Sequence, residues 1–162
     1  MTHHARRIAC AAALLAAAVL APGAAARPVY GGKACALLAA KQLSPFGVAA
    51  SCKPLTTKGP GFTTSYATWG KALPPHLALT ITTFTSTSSL IYRLKLREMK
   101  ALGTKVSGIG STAYEQARPG SPLAIIDFVV GKQFVTIDMA AKAPLASVSA
   151  FNALAKTVAG KL

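Results

Sequence analysis

Two cysteines, Cys35 and Cys52, are the first residues of this chain whose type and spacing carry chemistry. The third cysteine, Cys10, lies in an N-terminal apolar run that reads as an export signal, so an even pair remains in an exported chain. Such a pair predicts a disulfide. The bridge would close a loop of about 16 residues, for which chain entropy gives about 3 kcal/mol of stabilisation. A metal or redox pair would need a nearby histidine or Cys-x-x-Cys spacing, and the sequence has neither. His76 is the one histidine outside the signal. A triad or a metal site needs partners at telling spacing, so His76 is expected to be structural or solvated. Asp127 and Asp138 fall on neighbouring strands in the pairing given below, diagonal to each other and roughly 7–8 Å apart. Two carboxylates so placed could hold a cation or share a proton; the plainer reading is that they wet an exposed sheet face and pair with surplus cations.

The larger signal is positive charge: 18 Lys and Arg stand against 4 Asp and Glu, a net +14. The densest patch is Arg93, Lys95, Arg97, Lys100 and Lys105. On a helix, Arg93, Arg97 and Lys100 recur at spacings of four and three and form a basic stripe, with Tyr92 and Met99 nearby. The plainer reading is a solvated helix face. The functional reading is attraction to an anionic envelope polymer, lipid head groups or an acidic protein partner. Nucleic acid suits the charge but not the signal, and no nucleic-acid-binding module is recognisable. Tyr66, Trp69 and Tyr114 lie on expected elements, where packing is the default; gathered on an open face, they would make a binding platform. The candidate binding set is therefore Arg93, Arg97, Lys100, Lys105, Tyr66, Trp69 and Tyr114. No catalytic residue, metal ligand or cofactor is expected.

Residues 1–26 read as a secretory signal. His3, His4, Arg6 and Arg7 make a positive start, residues 8–20 are apolar, and Ala24, Ala25 and Ala26 suit cleavage after Ala26. The apolar run is too short for a hydrocarbon core of about 30 Å, and no later stretch approaches the roughly 20 apolar residues of a membrane helix. Cys10 sits near the start of that run instead of behind it, which argues against lipid attachment, and residues after Arg6-Arg7 favour general secretion over twin-arginine export. The expected product is a soluble, exported single domain over residues 27–162, periplasmic or secreted. Removing Arg6 and Arg7 leaves 16 cations against the same four acids, a net +12. Much of the 52% apolar content departs with the signal. What remains excludes a membrane channel, a disordered basic tail and a multidomain enzyme.

Five strands and three helices are expected to position these residues. Strong helix formers between Gly31-Gly32 and Ser44-Pro45 predict a helix over 34–43, and the Thr, Lys, Pro and Gly of 53–60 predict a loop. Thr-rich and aromatic runs over 62–69 and 77–84 predict a hairpin with a long connection. Residues 88–102 alternate like a strand, yet their length, the Ser and Thr before them and Gly103 after them favour a helix. Strands then follow over 111–117, 123–130 and 133–139. A Gly131-Lys132 turn sets Val130 against Gln133, Phe128 against Val135 and Ile126 against Ile137, giving one nearly all-apolar face. A last helix starting near Pro144 covers that face with Leu145, Val148, Phe151, Leu154, Val158 and Leu162. The fold class is α+β, a two-layer sandwich of order α-β-β-α-β-β-β-α, with an antiparallel sheet of about five strands and helices on one face.

The run Gly108-Ile109-Gly110-Ser111-Thr112-Ala113-Tyr114 opens a strand after a helix and before a hairpin and final helix. Together with Cys35, Leu37-Leu38 and Cys52, it resembles small exported bacterial domains of unknown function. These include actinobacterial lipoproteins and the sensor-like extracytoplasmic domains of some kinases. The chain departs from them in lacking a cysteine at the cleavage site and in carrying Ser111 where an acid is common. The resemblance implies an envelope-exposed domain that binds something or packs against a partner, and brings no catalytic residues. Physically, Gly108 and Gly110 serve backbone geometry at the start of a strand. A phosphate loop would need the order strand, loop, helix. The expected function is a non-enzymatic binding or accessory domain that engages an anionic envelope component or acidic protein. The alternative is an inhibitor or immunity protein that inserts a loop such as Gly70 to His76 into an enzyme.

Overall fold

The computed structural model describes residues 33–71, 73–145 and 148–162. The signal expected over residues 1–26, with its cleavage after Ala26, falls outside the described residues. Seven strands form one antiparallel sheet: β1 (Cys52–Gly59), β2 (Phe62–Gly70), β3 (His76–Phe84), β4 (Thr104–Val106), β5 (Thr112–Glu115), β6 (Leu123–Val130) and β7 (Gln133–Ala140). Their spatial order is β1-β2-β3-β7-β6-β5-β4, two meanders joined where β3 pairs with β7. The class is α+β, as expected, but the strand count rises from five to seven.

Both additional strands are the sheet edges. Residues 53–60, expected as a loop, form most of β1. An edge strand pairs on one side only, so it can be short of apolar residues; here Lys53, Pro54 and Lys58 also discourage pairing with another chain. Pro60-Gly61, with Gly61 at φ +77°, turns the chain directly into β2. Gly131, at φ +56°, turns β6 into β7 with Val130, Phe128 and Ile126 opposite Gln133, Val135 and Ile137, the register that the sequence predicts.

Helices cover both faces of the sheet, not one. On the first face, α3 (Ser149–Ala159) lays Phe151, Leu154, Ala155 and Val158 against Ile126, Phe128, Val135, Ile137 and Met139. The expected stripe holds, except that the helix begins at Ser149 and Leu162 stays exposed. The N-terminal segment packs there too, but as three short pieces: a 3-10 turn (Cys35–Leu37), α1 (Ala40–Leu43) and a second 3-10 turn (Ser44–Phe46). A continuous helix over 34–43 would turn Leu43 about 140° away from Leu38. The extended break at Leu38 returns Leu43 and Phe46 to the core beside Ala34 and Leu38. Cys35 and Cys52 are joined by a disulfide, which ties this segment to β1.

On the second face, α2 (Leu90–Leu102) buries Met99, with Tyr92 and Leu96 packed beside it, against Phe84, Val129 and Phe134. Ser89 caps the helix by accepting the Tyr92 N–H at 3.2 Å. Topology dictates this placement: the chain leaves β3 in the sheet centre and must reach β4 at the far edge, so α2 crosses β7, β6 and β5. Among the described residues no helix lies over the β1–β2 side of that face, where Leu55 is 38% and Tyr66 37% exposed. Gly103 is the C-cap of α2, as expected, and donates its N–H to the Met99 carbonyl; its backbone is extended at φ −113°, and a Cβ there would lie 2.8 Å from that of Tyr114. Gly108 and Gly110 do serve the backbone. Gly108 lies at φ +74° and Gly110 at +55°, where a Cβ would sit 2.2 Å from the Val129 carbonyl oxygen that accepts the Ser111 N–H.

Candidate functional site

Helix α2 places the basic residues. At 3.6 residues per turn, Tyr92, Leu96 and Met99 face the sheet and Leu90, Leu94 and Ala101 form the outward ridge. Arg93, Arg97 and Lys100 occupy one shoulder, and all three are exposed. Ile91, Lys95, Glu98 and Leu102 occupy the other. Lys95 and Glu98 of this second shoulder act electrostatically on the Asp127 carboxyl group. Lys95 Nζ also stands 5.5 Å from the centre of the Phe134 ring. The Arg93 shoulder thus points away from Asp127, Asp138 and Glu98. Lys105, exposed on β4, continues the basic run just past the helix. Four acidic side chains against 16 cations after residue 26 leave a large excess of positive charge that one-to-one pairing cannot neutralise.

The aromatic platform does not form. Trp69 is 1% exposed and packs in the core under the N-terminal segment and α3, on the side of the sheet opposite Tyr66. Tyr66 is 37% exposed on the uncovered face. Tyr114 shares that face but packs beside the cluster beneath α2. Strand pairing places Leu55, Tyr66, Thr80, Thr136, Asp127, Tyr114 and Lys105 in one row across all seven strands. Tyr66 and Tyr114 are four strand spacings apart in it, about 19 Å. Alternation along β2 could have separated Trp69 from Tyr66, since they lie three residues apart and face opposite ways.

Asp127 and Asp138 share this face diagonally, as expected, because Thr136 opposes Asp127 and Ile125 opposes Asp138. Asp138 is exposed, whereas Asp127 is half-buried and accepts a 2.6 Å hydrogen bond from the Thr136 hydroxyl. Asp127 therefore does more than wet an open surface. Burial pushes its pKa above the usual carboxylate value; Thr136 and Lys95 oppose the shift, and Glu98 and Asp138 add to it. A raised acid holds its proton to higher pH in the folded state than in the unfolded chain. Native protein thus binds more protons just above the unfolded pKa, and stability falls as pH rises through that window. Asp127→Asn keeps an acceptor for Thr136 and removes the buried charge. Thermal melts from about pH 4 to pH 7 should show a flatter slope for the variant and a neutral-pH Tm no lower than wild type. A clearly lower Tm would mean that attraction to Lys95 outweighs the cost of burial.

His76 begins β3, half-buried, with Nδ1 enclosed and without a hydrogen-bond partner. Among the described residues, no three His, Cys, Asp or Glu side chains gather as a metal-holding set, and no helix is long and apolar enough to cross a membrane. An open recess of about 410 Å³ lies at the β1–β2 turn beside Lys58, Phe62 and Phe84. No family model, no curated protein and no solved structure matches this chain.

Proposed function

We propose that this chain is an exported, non-enzymatic binding or accessory domain that engages an anionic envelope component through its basic surface. The carrying observation is the Arg93, Arg97 and Lys100 shoulder of α2, exposed and turned away from the acids on its side of the sheet. Excess charge of one sign attracts opposite charge over about a Debye length and raises encounter rates. The disulfide suits an oxidising compartment. An inhibitor is the second reading: it would present the loop between β2 and β3, where Leu73 is 78% exposed.

Binding to envelope fractions should fall steeply as salt rises to several hundred millimolar, and Arg93→Gln/Arg97→Gln/Lys100→Gln should weaken it at low salt. Binding that persists at high salt and ignores these substitutions would sink the electrostatic reading. Stoichiometric capture of a soluble enzyme through the β2–β3 loop would favour the inhibitor.

A further inference from the structure

Helix α2 is unusual in being apolar on both sides. Its inner side closes the second core cluster, yet Leu90, Ile91, Leu94 and Leu102 remain 63%, 45%, 51% and 61% exposed on the outer side. Leu90 and Leu94 are one turn apart on the ridge, Ile91 and Leu102 extend the apolar surface onto the shoulder that also carries Glu98, and the Arg93, Arg97 and Lys100 shoulder runs along the opposite side. Aliphatic side chains beside cations are what a helix lying on an anionic bilayer presents: apolar groups enter below the head groups while guanidinium and ammonium groups hold the phosphates.

We propose that the outer side of α2 docks on an anionic lipid surface, with Leu90 and Leu94 as the inserting residues and Arg93, Arg97 and Lys100 as the phosphate-holding ones. This deepens the anionic-partner reading and rests on it. A dissolved polyanion would neutralise the basic shoulder and leave the leucines in water. A second copy of the chain would set two Arg93 shoulders on surfaces of the same excess positive charge, which disfavours association. Glu98 is the one acid within the aliphatic band; it opposes docking, so its neutralisation is a gain-of-function test.

The test is flotation of the purified protein with phosphatidylcholine vesicles, with and without phosphatidylglycerol, alongside soluble dextran sulfate. Wild type should float with the anionic vesicles and stay behind with the neutral ones. Leu90→Gln/Leu94→Gln should weaken vesicle binding about 30-fold, from the apolar area no longer inserted, and leave dextran sulfate binding intact. Both leucines are exposed, so this variant is expected to fold; far-UV circular dichroism checks that. Arg93→Gln/Arg97→Gln/Lys100→Gln should weaken vesicle binding about 100-fold and dextran sulfate binding as well. Glu98→Gln should tighten vesicle binding. Vesicle binding unchanged in the leucine variant, or dextran sulfate binding without vesicle binding, overturns lipid docking but spares the anionic-partner reading. Loss of both in wild type overturns the two together.

Discussion

Trp69→Ala should lower the unfolding free energy by about 3–5 kcal/mol, because it empties a large side chain from a site with almost no solvent contact. Trp69 faces Leu77 across the β2–β3 pair and lies in the same core cluster as the N-terminal segment and α3. The cavity therefore opens where sheet and helices meet, leaving little room to collapse. Tyr66→Ala, on the uncovered side of the same strand, should stay within about 1 kcal/mol of wild type. Urea unfolding of the pair is a direct check on which way β2 faces. Equal stability for the two variants would mean that Trp69 is not in the core.

Cys35→Ala/Cys52→Ala should cost about 3 kcal/mol, or roughly 10 °C in Tm, through the freedom returned to the unfolded chain. The loss has a place as well as a size. The bridge anchors the segment that contributes Ala34, Leu38, Leu43 and Phe46 to the core, and it does so at the first residue of edge strand β1. Amide exchange should rise most in β1 and in residues 35–46. Alkylation of both thiols in the unreduced, denatured protein would show that the bridge is absent.

What sequence reading recovered was governed by burial. The β6–β7 register was legible to the residue because both strands are central and strongly apolar on one side, so a one-residue slip of β7 would turn Val135, Ile137 and Met139 off that side together. The β2–β3 hairpin and the span of α2 were legible for similar reasons. The edges were not: β1 reads as Cys-Lys-Pro-Leu-Thr-Thr-Lys-Gly, and its strand state depends on pairing with β2 more than on its own pattern. Pro60-Gly61 between two Thr-bearing runs was the available signal. At the candidate site, the spacing of Arg93, Arg97 and Lys100 predicted one shoulder correctly. The exposed leucines beside them did not stand out, because a helix rich in Leu reads as core until its two sides are assigned. Trp69 packs in the core, the default expectation, and its grouping with Tyr66 on one open face fails because residues three apart on a strand point to opposite sides.

The joining of the two meanders has a consequence for how the chain folds. Every strand pair within a meander is a hairpin of near neighbours, formed by short loop closures. The β3–β7 seam instead joins partners such as Thr83 and Gln133, with α2 and three strands between them in sequence. Closing that loop costs chain entropy before it returns any stability, so the seam is expected to set the folding rate. Until it closes, β3 and β7 are two unpaired apolar edges, and the molecule is most vulnerable to association at what becomes its best-protected line.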